Sequence, residues 1–215
     1  MKLLLATHNE HKLREFERLI GEGWPAGWQI ETLPEMVQLP PEDGETFAEN
    51  AFGKARAAAA ATGQVSIADD SGIAAAALGG ASCVRSARYA GEQASDEENL
   101  AKLEREAPAG SVLEYVCAIA YVDPRGGVER VFEGRCGGRM AAERRGRGGF
   151  GYDPVFLPDD VPSVPEGEAA VTMAELSDEQ KDAISHRGRA ARALFAWLDG
   201  AGGDVQVAGS APTGG

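Results

Sequence analysis

Two adjacent acids follow a short run of small and apolar residues, and they are the first candidates for chemistry. Residues 65–68 lead directly into Asp69, Asp70, Ser71 and Gly72. Two neighbouring carboxylates in a buried place repel each other, so such a pair holds a cation, shares a proton or is split between two faces. Because successive strand residues point to opposite faces, we expect one of the two acids to enter a site. The same residues also favour a turn that ends a strand, and the local pattern leaves both interpretations open.

Cationic and polar side chains occur in four other segments. The chain contains no Walker-type glycine loop, no dinucleotide-binding glycine motif, no HExxH zinc motif and no GxSxG elbow. Basic groups from several segments, with acids between them, suit a polyphosphate together with a divalent cation. The four sets are Asn9 with Lys12, Asn50 with Lys54, Arg144 with Arg145 and Arg147, and Lys181 with His186 and Arg187.

The first set lies at a predicted junction between a strand and a helix. Residues 2–6 form an apolar run of strand length, and Asn9 is a favourable N-cap for a helix that ends at Gly21. A helix N-terminus offers free N–H groups and the positive end of the helix dipole, which favour a phosphate. Lys12 opposes that dipole; a bound anion would explain it, and a solvated surface lysine is the alternative.

A capping box at residues 46–49 begins the second predicted helix, which runs to residue 62. Asn50 and Lys54 are four residues apart and therefore share a face of this helix. Glu42 lies in the loop that leads into it. Without other information, Glu42 is one more acid on an acidic surface.

The remaining elements predict a mixed sheet. A strand is predicted near residues 29–33, and a capped helix for residues 95–106. Residues 112–122 and 128–133 are rich in β-formers and flank a Pro-Arg-Gly-Gly turn, which indicates a hairpin. Because hairpins and helix-crossed strands occur in one chain, we expect an α/β fold with a mixed sheet.

A basic, glycine-rich loop precedes an aromatic motif. Residues 144–149 contain three arginines and are followed by Phe150, Gly151, Tyr152 and Asp153. A basic loop beside an aromatic ring suits an anion clamp next to a stacking surface. A charged surface loop around a core phenylalanine fits the same residues equally well.

A final helix is predicted to begin at the capping box Ser177-Asp178-Glu179-Gln180 and to end near Leu198. Its residues Lys181 and His186 are five apart, about 140° around a straight helix. They can share a site only if the helix bends, breaks or points its end at the ligand. From Gly200 onward the chain is rich in Gly, Ala, Ser and Pro, which predicts a disordered tail.

Bulk composition excludes several classes of protein. The chain has 215 residues and a net charge of −13, which argues against wrapping nucleic acid or binding an anionic membrane. Three widely spaced cysteines indicate neither a disulfide framework nor a zinc site. No apolar run is long enough to span a bilayer. We therefore expect one soluble, cytoplasmic folding unit.

Six motifs, in order along residues 2–198, resemble the inosine/xanthosine triphosphate diphosphatases, the Ham1 family. Each motif is modest alone, and the six in register are specific. They are Ala6-Thr7-His8-Asn9 with Lys12 and Glu15; Thr46-Phe47 with Glu49-Asn50-Ala51 and Lys54-Ala55; Ala68-Asp69-Asp70-Ser71-Gly72; Ser86-Ala87-Arg88-Tyr89; Gly149-Phe150-Gly151-Tyr152-Asp153-Pro154; and Ser185-His186-Arg187.

This resemblance implies a fold and a reaction. The fold would be α/β, with a long mixed β-sheet flanked by helices that forms two lobes and a cleft between them. Residues 1–199 would form this single two-lobed domain, usually as a homodimer, and residues 200–215 the tail. The reaction would be Mg²⁺-dependent hydrolysis of ITP, dITP and XTP to the monophosphate and pyrophosphate, which cleanses the nucleotide pool before these bases enter DNA or RNA.

The resemblance also implies roles for individual residues. Asp70 would be the general base and a metal ligand, and Glu42 the second metal carboxylate, although Asp43 or Glu45 could take its place after a shift of one residue. The triphosphate would be held by Thr7, His8, Asn9, Glu10, His11, Lys12, Lys54 and Ser71. The base and sugar would meet Phe150, Gly151, Tyr152, Asp153, Lys181, His186 and Arg187.

The chain departs from the family pattern in three places. Residues 81–83 replace a usual Pro-Gly pair, and residues 75–76 lack an acid that is often found there. Neither change touches the expected chemistry. The loop at residues 144–147 carries more charge than usual, which leaves substrate contacts there open.

The implied selectivity has a physical basis. A 6-oxo purine accepts a hydrogen bond where the amino group of adenine donates one, so a donor at that place is left unpaired by ATP, at a cost of about 1–3 kcal/mol. Guanine shares the 6-oxo group, so another contact must exclude its 2-amino group, and the sequence does not identify that contact. Two rival functions are a nucleotide sensor without turnover and a metal-dependent phosphatase of ordinary nucleotides or phosphomonoesters.

Overall fold

The computed structural model describes residues 2–23, 28–78, 84–161 and 170–201. Residues 81–83 and 202–215, on which a family departure and most of the predicted tail fall, lie outside this part. Within it, the chain forms a mixed sheet with helices on both faces, as the sequence predicts. The strands are β1 (Lys2–Leu5), β2 (Gln29–Thr32), β3 (Ser66–Ala75), β4 (Val112–Asp123), β5 (Val128–Met140) and β6 (Phe156–Pro158), and the helices are α1 (Glu10–Gly23), α2 (Phe47–Thr62), α3 (Asp96–Glu106), α4 (Asp178–Ile184) and α5 (His186–Ala201).

The sheet has the order β2-β1-β3-β4-β5-β6. Strands β2, β1 and β3 are parallel, whereas β3, β4, β5 and β6 pair in antiparallel fashion. Because β1 pairs with β3 only at Ser66 and Ile67, none of the described strands lies beside that edge of β3 beyond this point. The site described below is built along this edge.

The prediction that the strand ends at the acids is wrong. Strand β3 continues through Asp69, Asp70, Ser71 and Gly72 to Ala75, and it pairs with β4 along its whole length. Asp, Ser and Gly favour turns, but antiparallel pairing with β4 over ten residues outweighs that local preference here. The two acids therefore lie in the middle of a strand, and their side chains point to opposite faces of the sheet.

The two faces of the sheet are packed differently. Helices α1 and α5 cover one face with large apolar side chains such as Phe16 and Leu194, which pack on Ile67 and Ile119. Each such buried side chain contributes about 1.5–3 kcal/mol. Helix α2 covers the other face with alanines, which bring its backbone close to the sheet; these are Ala51, Ala55, Ala58 and Ala59.

The predicted hairpin is present, and β5 runs further than expected, to Met140. At Gly134 the backbone of α5 lies directly on this strand. A Cβ atom there would come within 2.1 Å of the carbonyl oxygen of His186. Glycine at this position therefore allows α5 to begin against the sheet, and it fixes where His186 and Arg187 lie.

Local capping signals predict the helix starts correctly. Thr46, Ser95 and Ser177 each accept from the N3 backbone N–H and form capping boxes. Asn9 Oδ1 accepts from the backbone N–H groups of His11 at 2.9 Å and of Lys12 at 3.2 Å. None of the described helices has the length and apolar character needed to cross a bilayer.

Candidate active site

A cleft of about 320 Å³ opens beside the unpaired edge of β3. The N-terminus of α1, the loop before α2, strands β3 and β4, and the junction of α4 with α5 surround it. This volume is within the range of small-molecule sites. It is lined by Thr7, His8, Asn9, Lys12, Leu39, Glu42, Lys54, Asp70, Ser71, Gly72, Ser86, Ala87, Asp96, Tyr115, Phe150, Gly151, Tyr152, Asp153, Lys181, His186 and Arg187.

Asp69 faces α5 and is a structural anion. It is 1% exposed, and its Oδ2 atom accepts from Arg187 Nη2 at 2.9 Å and pairs with Lys12 Nζ at 3.1 Å. Burial alone would raise the pKa of Asp69, but these cations hold it well below its usual range. Lys12 therefore has a buried partner, and its side chain is only 13% exposed. The alternative of a solvated surface lysine is wrong.

Asp70 faces α2 and the cleft. Asn50 Nδ2 donates to its Oδ2 atom at 2.9 Å, and Lys54 Nζ lies 3.8 Å from Oδ1. Burial raises the pKa of Asp70, and the carboxylate of Glu42 adds to the rise while Lys54 opposes it. This carboxyl group is thus more basic than an ordinary aspartate.

Glu42 is the acid of its loop that lines the cleft, and Asp43 and Glu45 are exposed outside it. Lys54 Nζ donates to Glu42 Oε1 and, at 2.7 Å, to the carbonyl oxygen of Asp69. Burial alone would raise the pKa of Glu42, but the ammonium group of Lys54 lowers it. We call Glu42, Lys54 and Asp70 the acidic end of the cleft.

The acidic end has the donor chemistry of a partial cation site. Glu42 and Asp70 both offer carboxylate oxygens, and the charge of Glu42 is near enough to raise the pKa of Asp70. Within the described residues, no group of three or more His, Cys, Asp or Glu side chains could hold a metal ion alone. A hard cation such as Mg²⁺ needs only one or two carboxylates when phosphate oxygens and water complete its shell. The residues present fit such an ion if the ligand brings phosphates.

The opposite part of the cleft, which we call the aromatic end, comprises Tyr115, Phe150, Asp153, Lys181 and His186. Asp153 Oδ2 accepts from the backbone N–H of Phe150 at 2.9 Å and from Lys181 Nζ at 2.7 Å. Tyr115 donates to Asp153 Oδ1 at 3.0 Å. The tight approach needs Gly149, where φ is +67° and a Cβ atom would lie 2.0 Å from Asp153 Oδ2.

A buried ionic network supports the aromatic end. Glu15 Oε1 accepts from Lys181 Nζ at 2.6 Å, and Glu15 Oε2 accepts from Arg187. Burial alone would raise the pKa of Glu15, but the two cations lower it to about 2. Arg187 also donates to Ser71 Oγ at 2.8 Å, which connects the network to β3. The network fixes Lys181 and Arg187 before any ligand arrives.

His186 is a neutral ring at the aromatic end. Burial lowers its pKa well below the usual value, and the neighbouring Arg187 lowers it further. Its ring stacks on Tyr115 with centroids 4.6 Å apart and planes 6° apart. Within the described residues, its buried Nδ1 atom has no hydrogen-bond partner. The ring therefore retains a polar atom without a protein partner.

The junction of α4 and α5 explains how Lys181 and His186 reach one cleft. Ser185 has extended backbone (φ −64°, ψ 154°) and ends α4, and α5 begins at His186. Ser185 Oγ accepts from the backbone N–H of Gly188 at 3.0 Å. A Cβ atom at Gly188 would lie 2.0 Å from the carbonyl oxygen of Asp182, so glycine permits the sharp corner. The helix breaks, which is one of the geometries that the sequence allowed.

The cleft collects most, but not all, of the residues assigned by resemblance. Glu10 does not line it; its side chain is 84% exposed and lies 3.7 Å from Arg14. His11 does not line it either, but its ring stacks on Phe150 at 5.1 Å. All other assigned residues line the cleft; they are Thr7, His8, Asn9, Lys12, Glu42, Lys54, Asp70, Ser71, Phe150, Gly151, Tyr152, Asp153, Lys181, His186 and Arg187.

The arginine loop does not contribute to the cleft lining. Arg144 donates to Glu97 and Glu104 at 2.6 Å each, and Arg145 lies 3.5 Å from Glu175. These ion pairs favour the charged surface loop over the anion clamp. Sequence reasoning assigned no site role to six further lining residues; they are Leu39, Gly72, Ser86, Ala87, Asp96 and Tyr115. The signal available for Tyr115 was a polar tip inside an apolar strand.

The arrangement can bind an elongated, anionic ligand and act on it. The α1 N-terminus, Lys12 and Lys54 supply positive potential beside the basic carboxyl group of Asp70. Phe150 lines the cleft, with the ring of His11 stacked on it and Lys181 Nζ 5.1 Å from its centroid. A phosphate chain suits the first region and a flat heterocycle suits the second.

Comparison with known proteins agrees with this geometry. The model of the Ham1 family matches residues 3–197. A protein of Mycolicibacterium paratuberculosis named dITP/XTP pyrophosphatase is 43% identical over 203 residues, which cover 92% of this chain and 95% of that protein. The solved structure of a Ham1 protein from Coxiella burnetii has a TM-score of 0.77 at 37% identity, covering 92% of this chain and 98% of that one. The chain therefore belongs to the Ham1 family.

Proposed function

We propose that this protein hydrolyses ITP, dITP and XTP to the nucleoside monophosphate and pyrophosphate, and thereby keeps these bases out of DNA and RNA. The observation that carries the proposal is a cleft that has the Asp70 carboxyl group at one end and a fixed aromatic and cationic set at the other. The name of the 43% identical relative supports the same reaction. The homodimer and the cytoplasmic location stay predictions.

In this proposal the triphosphate lies between α1 and β3. The positive end of the α1 dipole and the ammonium groups of Lys12 and Lys54 face the phosphate oxygens. Ser71 lines the cleft beside Asp70 and can donate to the same chain of phosphates. Phosphate contacts of this kind place the α-phosphorus near the acidic end.

Glu42 and Asp70 would hold Mg²⁺ together with phosphate oxygens. When bound, the ion supplies charge neutralisation and polarises phosphoryl oxygens. Lys54 bridges Glu42 and the backbone of Asp69, so it keeps the loop before α2 against β3. The two carboxylates are therefore positioned before an ion binds.

Asp70 accepts a proton from the water molecule that attacks the α-phosphorus. A new bond forms between that water oxygen and the α-phosphorus, and the bond from the α-phosphorus to the bridging oxygen breaks. The bridging oxygen leaves with the pyrophosphate, whose charge Lys12 and Lys54 stabilise. The raised pKa of Asp70 favours this role because a more basic carboxylate removes a proton more readily.

The aromatic end selects the base. Lys181 donates to Glu15 and Asp153, so within the described residues one of its three N–H groups is left for a ligand acceptor. A 6-oxo group can accept from such a donor, whereas the 6-amino group of adenine cannot. The unpaired donor costs about 1–3 kcal/mol when ATP binds. Phe150 supplies the stacking face.

A turnover assay tests the proposal against its two rivals. ITP, XTP, GTP and ATP are incubated with the protein and Mg²⁺, pyrophosphate and orthophosphate are quantified, and Asp70→Asn serves as the control. We expect pyrophosphate from ITP and XTP, little from GTP and ATP, and none from the variant. Orthophosphate as the first product would indicate a phosphatase, and absence of product would indicate a sensor.

A further inference from the structure

Tyr115 is a cleft residue to which no role has yet been given. It lies on β4, pairs with Ile73 of β3 and Cys136 of β5, and is 6% exposed. Strand pairing on both sides holds its backbone rigidly. Its side chain reaches the aromatic end, where its hydroxyl group contacts Asp153 and its ring contacts His186. One side chain thus touches two residues that come from different parts of the chain.

The hydroxyl group of Tyr115 determines which lone pairs of Asp153 remain available. Asp153 Oδ2 already accepts from the Phe150 backbone and from Lys181. The Oδ1 atom accepts from Tyr115 at 3.0 Å. Burial raises the pKa of Tyr115 well above its usual value, so this hydroxyl group stays a donor at any working pH. With Tyr115 in place, Oδ2 accepts from two protein donors and Oδ1 from one, so one of the two lone pairs of Oδ1 is already used.

A free carboxylate oxygen at this place would change base selection. Asp153 lines the cleft beside Phe150, so an unengaged Oδ1 atom could accept from an exocyclic amino group. Guanine, the base of GTP, carries a 2-amino group, and adenine, the base of ATP, carries a 6-amino group. Hypoxanthine and xanthine, the bases of ITP and XTP, carry neither. Hydrogen bonds to a charged group are among the stronger polar contacts in a buried site.

We propose that Tyr115 is a positioning residue that sets base selectivity, because its hydroxyl group takes one lone pair of Asp153 Oδ1 and weakens that atom as an acceptor for an amino-bearing purine. The proposal rests on the proposed function and deepens it, since it names the contact that works against guanine. The stacked ring of His186 holds Tyr115 in the orientation that this contact requires. Tyr115 itself has no part in the chemical step.

The variant Tyr115→Phe tests the proposal with a single atom removed. The ring and its stacking on His186 are kept, and only the donor to Asp153 is lost. We expect the ratio of kcat/KM for ITP to that for GTP or ATP to fall by about tenfold, through a lower KM for the amino-bearing nucleotide. The kcat for ITP should stay within about twofold of the wild-type value, because the acidic end is unchanged.

Tyr121→Phe is the matched control. Tyr121 lies on the same strand and the same face as Tyr115, is 5% exposed and contacts Trp197 edge-on, away from the cleft. Removal of the Tyr121 hydroxyl group should leave the ratio of kcat/KM for ITP to that for GTP or ATP unchanged. Thermal unfolding of both variants shows whether the fold is kept.

The outcomes separate this inference from the function on which it rests. A Tyr115→Phe variant that discriminates as well as the wild type overturns the role of Tyr115 alone. A variant that loses activity equally on all nucleotides also overturns it, because selectivity is then not what the hydroxyl group sets. A wild-type protein that releases no pyrophosphate from ITP overturns the proposed function and this inference together.

Discussion

The two ends of the cleft have opposite electrostatic character. At the acidic end, Glu42 and Asp70 share the single ammonium group of Lys54, and the pKa of Asp70 is raised. At the aromatic end, both oxygens of Asp153 and both of the supporting Glu15 accept from donors, and the pKa of Glu15 is about 2. At the acidic end two carboxylates share one cation, whereas at the aromatic end Asp153 and Glu15 have two cations, Lys181 and Arg187.

This difference indicates what each end does. An excess of carboxylates over cations suits the binding of a metal ion and a proton transfer. A buried network in which cations and carboxylates are paired is held in place, so it presents fixed donors to a ligand. The two ends are therefore suited to different tasks, and substitutions at the two ends should have different kinetic signatures.

The largest effect is expected at the acidic end. Asp70→Asn keeps the shape of the side chain but removes its basic oxygen, so kcat for pyrophosphate release from ITP should fall by about 10²–10⁴-fold. Stability should change little, because the buried charge that is lost was already disfavoured by burial. Steady-state kinetics and thermal unfolding measure both quantities.

Asp43→Asn is the control for that substitution, since Asp43 is an exposed acid next to Glu42 and lies outside the cleft. It should retain wild-type kcat. Retention of more than about a tenth of the activity by Asp70→Asn would contradict the general-base role.

The next largest effect is expected behind the aromatic end, in stability. Glu15→Gln leaves Lys181 and Arg187 with one buried anion each, Asp153 and Asp69, and should cost about 3 kcal/mol of unfolding free energy. Denaturant titration at neutral pH measures this loss. Glu10→Gln, on the exposed face of the same helix, is the control and should cost little.

The stability that Glu15→Gln loses should depend on pH. The folded pKa of Glu15, about 2, is below its ordinary value of 4.5, so its contribution is fully present above pH 4.5 and is lost as the pH falls toward 2. The stability difference between wild type and Glu15→Gln should therefore shrink between pH 4.5 and 2. A difference that stays constant down to pH 2 would mean that Glu15 is not held as a buried anion.

A smaller effect is expected from Asn50, which connects the two parts of the acidic end. Its Oδ1 atom accepts from the backbone N–H of Gly44 at 2.8 Å, and its Nδ2 atom donates to Asp70. Asn50→Ala removes the partner of the Gly44 N–H and of the Asp70 carboxylate. We expect the free energy of unfolding to fall by about 2 kcal/mol and kcat/KM for ITP to fall about tenfold. Mg²⁺-induced stabilisation, followed by thermal unfolding without nucleotide, should also weaken because Glu42 and Asp70 are no longer held together.

Asn99→Ala is a matched control. Asn99 is 2% exposed, accepts from the backbone N–H of Ala90 at 2.8 Å and donates to the carbonyl oxygen of Ala87 at 2.9 Å. It contacts no carboxylate, so its loss should lower stability by a similar amount without changing the response to Mg²⁺. An equal response in both variants would show that Asn50 acts only through general stability.

Most of the fold could be predicted from sequence, because its signals are local. Capping residues mark the starts of α2, α3 and α4, and the β-rich runs around the Pro-Arg-Gly-Gly turn mark the hairpin. The end of β3 could not be predicted in this way. Asp69 and Asp70 have strong turn preferences, and only distant partners such as Arg187 and Asn50 make a strand possible there.

The site residues were found by motif rather than by geometry, and the limits differ at the two ends. Lys12, Lys54 and Asp70 are charged residues within recognisable motifs, so they can be identified as site candidates from sequence. Tyr115 reads as an ordinary β-former, and its place against Asp153 follows from strand register and the loop at Gly149, which no local pattern encodes. Sequence spacing also showed that Lys181 and His186 can share a site only if the helix bends, breaks or points its end at the ligand, but not which of these occurs or where.

Substitution of Ser185, which lies at the helix break, should give the smallest effect on stability and on KM. It tests whether the corner between α4 and α5 influences binding of the base. Ser185→Ala removes the acceptor for the Gly188 N–H and should cost about 1 kcal/mol of stability. Because α5 begins at His186, a loosened first turn should raise KM for ITP about twofold while kcat stays unchanged. Ser177→Ala, which removes the cap at the other end of α4, should cost the same stability and leave KM unaltered. Equal KM changes in the two variants would mean that the corner only stabilises the helices, and that the aromatic end is held in place by its ion pairs alone.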